Sequence, residues 1–288
     1  MKKKYYLAGG LLVGFLLLTG FLGRHWLISL WEEYNRPSLP AAVAFQEKAR
    51  TGGTDLAQAP PSPIEGGTAV SENFILESSP QNESPLADPL QVLVDIPPEI
   101  NLAVPWMSQA PHANWDFPYQ EACEEASIIM VDAFYKGLTK RLDPDAADEA
   151  IKKLVTYQND KYGDYKDTDA SQTAKIIKDY FGYKDVRVLS FKTTEDIKNI
   201  LARGYPVIVP FSGKALKNPN YRNGGPLYHM LVIKGYTDDG LFITGDPGTR
   251  KGEDYVYPYS RIIEAAHDWN GGDVMNGAKL MIVVLPNT

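Results

Sequence analysis

Hydrophobic and polar positions fall into three regimes along the chain. From Tyr5 to Gly23 run 19 residues without a charge, dominated by Leu, Gly, Phe and Val and preceded by Lys2, Lys3 and Lys4. As a helix this run is roughly 28 Å long, enough to cross a bilayer core, and the triple lysine places its start in the cytoplasm. Arg24 and His25 close it, with Trp26 and Trp31 placed for the interface. Residues 1–36 are therefore expected to be a cytoplasmic stub and a single-pass anchor, with everything after Gly23 outside the cell membrane. The alternative is a signal peptide cleaved to release a secreted protein. It would want a shorter apolar core and a small-residue cleavage site of the Ala-x-Ala kind, and none stands out here.

The second regime is polar and aperiodic. Residues 37–98 hold ten of the 21 prolines and only two aromatics, Phe45 and Phe74. Such a segment cannot bury enough apolar surface to offset the entropy of ordering it, so a disordered linker is expected. Two basic and eight acidic residues give it a net charge of -6, which extends it by self-repulsion.

Residues 99–288 carry the periodic patterns of a folded domain. Pro118 to about Phe134 reads as a helix, with Ala122, Ala126, Ile129 and Ala133 on one buried face. Asp143-Pro144 caps a second helix that runs to about Tyr157, and a third spans Thr168 to Phe181 and stops at Gly182. Thr193 or Thr194 caps a fourth, which ends before Gly204. The period then shortens: Val186–Phe191, Tyr205–Phe211, His229–Thr237, Leu241–Thr244 and Leu280–Leu285 read as strands, with Asp238-Asp239-Gly240 as a hairpin turn. Tyr255–Tyr259 is further strand material and a candidate cleft wall. The fold class is α+β: a helical half followed by an antiparallel sheet.

Composition removes whole classes of function. Net charge is -7 and no basic patch with interleaved aromatics is present, so nucleic acid is excluded as a partner. The single cysteine, Cys123, rules out an intramolecular disulfide and a multi-cysteine zinc site. Outside the membrane an idle reactive thiol is a liability, which turns attention to what Cys123 does.

Cys123 lies within the first turn or so of the first predicted helix, where free N–H groups and the helix dipole favour a thiolate. Glu124 and Glu125 oppose it, so a compensating cation is required. Burial as a small core residue is the competing reading of the same cysteine. His229 opens a strand behind the loop Asn223-Gly224-Gly225-Pro226-Leu227-Tyr228, a place from which an imidazole can serve a thiol as base. Asp246 ends the next strand and can accept the other ring N–H, fixing the tautomer; it is equally a turn residue of Asp-Pro-Gly. Cysteine on a helix start, histidine heading a sheet strand and an acid on its neighbour is the order of papain-like enzymes.

Val104-Pro105-Trp106-Met107-Ser108-Gln109, Cys123 with Ala126-Ser127, Gly204-Tyr205-Pro206-Val207-Ile208-Val209, His229 and Gly245-Asp246-Pro247 together resemble the C39-like cysteine peptidases, in their stand-alone bacterial form. The resemblance covers most of residues 104–286 and is loose from about 138 to 185. It implies a papain-like fold, thiol attack on a peptide carbonyl, and a glutamine upstream of the cysteine in the oxyanion hole. Gln109 matches that position and Gln120 is the alternative. His112, Trp115 and Tyr228 are candidates for lining the substrate cleft. Two departures stand out: many relatives have glycine where this chain has Glu124, and the best-known members trim leader peptides as parts of transporters, for which this chain has no segments.

The remaining signals are weak. His267 reads as a helix-end residue, and Asp160, Asp164, Asp167 and Asp169 fit no calcium loop but do fit capping of the third helix. No metal and no cofactor are implied. The leading expectation is an extracytoplasmic, membrane-anchored cysteine peptidase, monomeric, acting on peptide or protein substrates through Cys123, His229 and Asp246. The alternatives are acyl transfer or cell-wall peptide cleavage by the same triad, and a module that binds peptides without cutting them.

Overall fold

Asp143 and Asp169 show why the helices begin where they do. In the computed structural model, which describes residues 37–45, 88–91 and 93–287, Asp143 accepts from the backbone N–H groups of Asp145 and Ala146 at 3.0 and 3.2 Å. Helix α2 (Pro144–Tyr162) starts there, and Gly163, at φ 88°, ends it. Asp169 accepts from the Gln172 N–H at 2.7 Å and opens α3 (Ala170–Phe181), which stops at Gly182. That start falls two residues after the predicted one, because the Thr168 hydroxyl bonds that of Thr173 instead of capping. A reciprocal capping box between Thr193 and Asp196 opens α4 (Thr194–Ala202).

The helix predicted from Pro118 is two pieces. A single 3-10 turn, Tyr119–Glu121, is followed by Ala122 at φ -101°, ψ 30°, and α1 (Cys123–Tyr135) begins only at the cysteine. Every residue of α1 from Cys123 to Phe134 is buried, so it is a central helix rather than an amphipathic one. The four predicted inward positions are all buried, but so are the faces between them.

Among the described residues seven strands form one antiparallel sheet: β1 (Ile100–Asn101), β2 (Asp185–Ser190), β3 (Val207–Phe211), β4 (His229–Tyr236), β5 (Leu241–Gly245), β6 (Tyr255–Pro258) and β7 (Leu280–Leu285). Their order is β2-β7-β3-β4-β5-β6, with β1 added to the end of β4. Two short helices, α5 (Gly213–Leu216) and α6 (Tyr259–Ala265), and the edge pair β1 were not legible beforehand. Helix α1 packs on β4 and against α2, α3 covers β2 and β7, and α4 covers β3 and β4. Strand β4 is buried along its whole length. Its apolar run Met230-Leu231-Val232-Ile233 suits a strand covered on both faces.

The anchor expected over residues 5–23 lies outside the described residues, as does most of the linker. Among the described residues no helix is long and apolar enough to cross a membrane. Parts of the linker within residues 41–98 sit on the domain. Val43 pairs with Asn101 and Ala103 through backbone bonds of 2.7 and 2.8 Å, and the Phe45 ring lies 5.6 and 5.1 Å from those of Phe134 and Tyr135. Asp88 meets Arg187 with two contacts of 2.8 and 2.9 Å.

A bulge between Ile233 and Gly235 lets β1 join β4. A Cβ on Gly235 would lie 2.2 Å from the Ile100 carbonyl oxygen, so only glycine admits that approach. Gly235→Ala is therefore expected to displace β1 and cost about 1–3 kcal/mol, read as a lower midpoint in urea unfolding followed by circular dichroism.

Candidate active site

The hairpin joining β4 to β5 sets Val232 opposite Gly245, which brings the residue heading β4 and the residue just past β5 to the same end of the sheet. There His229 Nε2 stands 2.9 Å from Asp246 Oδ1. Both are buried, at 1% and 0% exposure. Oδ1 also accepts the Gly248 N–H at 2.9 Å. Oδ2 accepts from the Tyr221 hydroxyl at 2.6 Å, the Tyr257 hydroxyl at 2.8 Å and Asn218 Nδ2 at 3.2 Å. The Asp246 carbonyl accepts from the Trp106 indole N–H at 3.0 Å.

Burial alone would push Asp246 up. The His229 ring and the hydroxyls of Tyr221 and Tyr257 more than offset it, and the carboxyl is held below its ordinary range. An ionised Asp246 only accepts, so the His229 proton sits on Nε2. Among the described residues Nδ1 has no hydrogen-bond partner, leaving its lone pair for another group.

Cys123 occupies the first residue of α1. That helix packs on β4, with the Ser127 hydroxyl donating to the Met230 carbonyl at 3.2 Å, and the Met230 N–H approaches the thiol itself. The thiol donates to Glu124 Oε2 at 3.0 Å. It makes no hydrogen bond to His229 in this arrangement. The helix start was expected to lower the thiol pKa, and the outcome is the reverse. Burial first, then the adjacent Glu124, push Cys123 well above the ordinary thiol range, and the Met230 N–H only partly counters them.

Glu124 and Glu125 are as buried as the cysteine, and among the described residues no cation stands beside them. Burial and the neighbouring Glu125 raise Glu124 far above the carboxylate range. Burial raises Glu125 to about 7, against a hydrogen bond from the Gln158 amide. In place of the compensating cation that the sequence calls for, burial shifts both acids toward their neutral forms.

The other predicted residues scatter. Gln109 is buried, and its amide donates to the carbonyls of Tyr119 and Gln120 at 2.9 and 3.3 Å, bracing the turn that leads into Cys123. Gln120 is exposed. His112 pairs at the surface with Asp145 at 3.2 Å, and Trp115 is half-buried against the core. Tyr228 is buried; its hydroxyl donates to the Thr168 carbonyl and to Asp268, each at 3.1 Å. His267 Nδ1 bonds the Gly277 carbonyl at 2.9 Å just past α6. Of the acidic stretch, Asp169 is the cap of α3, and Asp164 caps its own turn at the Tyr165 N–H.

Asn218, Tyr221, Tyr257, Gly248 and Trp106 complete the surroundings of the pair without having been assigned to it. Tyr257 was within reach: in Tyr255-Val256-Tyr257 alternation puts both tyrosines on one face of the strand, where their rings lie 4.8 Å apart, and Tyr257 is the buried one. Asn218 and Tyr221 sit in a loop whose turn residues carry no signal of what they face. Gly248 has a steric reason: a Cβ there would lie 2.7 Å from His229 Cε1 and 3.1 Å from Nε2.

The profile of the Peptidase_C39 like family matches residues 101–271, a span that contains Cys123, His229, Asp246 and the three donors to Asp246 Oδ2. A crystal structure of a C39-like peptidase from Bacillus anthracis is similar at 17% identity and a TM-score of 0.44, covering 66% of this chain and 98% of that one. No curated protein matches.

Two outcomes follow. Gly248→Ala should push the imidazole off Asp246, seen by proton NMR as loss of the downfield His229 Nε2–H resonance in a protein that still folds. The second concerns Glu125, whose folded pKa of about 7 exceeds its ordinary 4.5. The stability this group contributes is full below about pH 4.5 and is lost as pH rises through 7, by up to about 3 kcal/mol. Urea midpoints should therefore fall between pH 5 and pH 8, and fall less in Glu125→Gln.

Proposed function

Since the chain belongs to the Peptidase_C39 like family, we propose that it is a cysteine-type peptidase in which Cys123 attacks the peptide carbonyl, His229 is the base and Asp246 orients the histidine. The observation that carries this reading is the buried His229 Nε2 to Asp246 Oδ1 hydrogen bond of 2.9 Å. It turns a free Nδ1 toward service as a proton acceptor, on the strand against which the cysteine helix packs. Catalysis requires the thiol to turn from Glu124 to Nδ1, giving a thiolate-imidazolium pair. After attack, the first-turn N–H of Cys123 is one oxyanion donor. Gln109 becomes the second if its amide leaves the Tyr119 and Gln120 carbonyls. Hydropathy adds that residues 5–23 hold the enzyme in the cell membrane with the catalytic domain outside, where peptides or protein tails are the substrates. Trimming of leader peptides is not carried over from transporter-linked relatives.

A second reading has one observation in its favour: the thiol is spent on Glu124, and burial and Glu124 hold it well above its ordinary pKa. A site fixed in that state would grip a peptide without cutting it. Because Cys123 is the sole cysteine, iodoacetamide labelling against pH separates the two. A peptidase should label at pH 6–7 faster than a free thiol and slow at least about tenfold in His229→Ala. Glu124→Gln should label faster still, as removal of the acid lets the thiol pKa fall. Slow labelling that ignores His229 would leave the binding module in possession.

A further inference from the structure

Asp246 is held by more than an orienting acid needs. A carboxylate offers about four lone-pair sites, and five donors converge on this one, three of them on the oxygen turned away from the histidine. Asn218 Nδ2 reaches both Asp246 Oδ2 and the Tyr257 hydroxyl, the latter at 2.7 Å. Its own Oδ1 is fixed by the Asn220 N–H at 2.9 Å and Asn220 Nδ2 at 3.1 Å, which turns the amide nitrogen inward. The Tyr221 ring stands edge-on to the imidazole of His229, with centroids 5.4 Å apart and planes at 74°. One residue thus touches both members of the pair, with its hydroxyl on the acid and its ring beside the base.

We propose that Tyr221 and Tyr257, with Asn218 bridging to Tyr257, are positioning residues that lock the Asp246 carboxylate in one rotation, so that Oδ1 faces His229 Nε2 and the imidazole keeps its Nε2–H tautomer. The proposal rests on the peptidase reading for its purpose, though not for its geometry. The carboxylate torsion is otherwise soft, a two-fold rotation with broad wells. Three donors from two separate segments, the loop at 218–221 and strand β6, remove that freedom. Both phenols are buried beside a negative charge and lie well above their ordinary pKa, so they remain donors throughout the working range. The titratable groups facing Asp246 are His229, Tyr221 and Tyr257.

The test uses the full-length protein as Tyr221→Phe, Tyr257→Phe and the double variant, each of which removes hydroxyls and little volume. Two readouts are taken beside the melting temperature: the 15N and proton shifts of His229 Nε2 in histidine-labelled protein, assigned with His229→Ala, and the rate of Cys123 alkylation at pH 7. The expected result is a folded double variant in which the downfield Nε2–H signal is lost or exchanges rapidly and alkylation slows about tenfold or more toward the His229→Ala rate. Should the double variant fail to fold, each single variant is expected to broaden the Nε2–H signal and slow alkylation severalfold. Folded variants with an unchanged Nε2–H signal overturn the proposal, because a role confined to stability moves the melting temperature alone. If wild-type alkylation is already independent of His229, the peptidase reading falls, and the imidazole signal still decides whether the tyrosines hold the pair.

Discussion

Asp246 carries a negative charge at a place that water does not reach, and this constraint organises the surrounding structure. Moving a lone carboxylate into such surroundings costs several kcal/mol or forces it to protonate. Here His229 comes from the head of β4, the Gly248 N–H from the turn after β5, Tyr257 from β6, and Asn218 and Tyr221 from the loop after α5. All must arrive together, so the register of β4, β5 and β6 is tied to the charge. A slip of one residue would turn His229 and Tyr257 to the opposite faces of the sheet and leave the acid unsatisfied.

Across the site the logic is inverted. Glu124 and Glu125 are equally buried, but among the described residues no histidine, lysine or arginine meets them, and each is pushed toward its neutral form. One fold therefore keeps one carboxyl ionised and two others inclined to hold their protons, solely through what surrounds each. Separation of carboxyl pKa values by environment is how a single site assigns acid and base roles. Between these regions lies a thiol that in this arrangement answers to the acids rather than to the base.

The local signals read well because they are local. Asp143-Pro144, Thr193 with Asp196, and Gly182 mark helix ends by hydrogen bonds and φ values settled within three or four residues. The strand Leu280–Leu285 was legible from its own β-branched run. Where the reading slipped, a distant partner had taken over. The helix expected from Pro118 is broken at Ala122, beside a turn whose carbonyls are claimed by Gln109. The all-round burial of α1 comes from α2 and α3, next along the chain, together with β4, which Ser127 meets across 103 residues, and no periodicity records it.

By itself the sequence determined the α+β class and the positions of the main helices and strands, and it singled out Cys123, His229 and Asp246 as candidates, since the chemistry of each type and its place at an element's end are properties of short stretches. Only the tertiary structure decided what those residues face. It joined His229 to Asp246 through the hairpin register, and it placed Tyr221, Tyr257 and Asn218 on the acid. It also turned the thiol toward Glu124 and spent the Gln109 amide on a backbone turn. Hydrogen bonds of this kind depend on distance in space to within a few tenths of an ångström, and separation along the chain carries no such information.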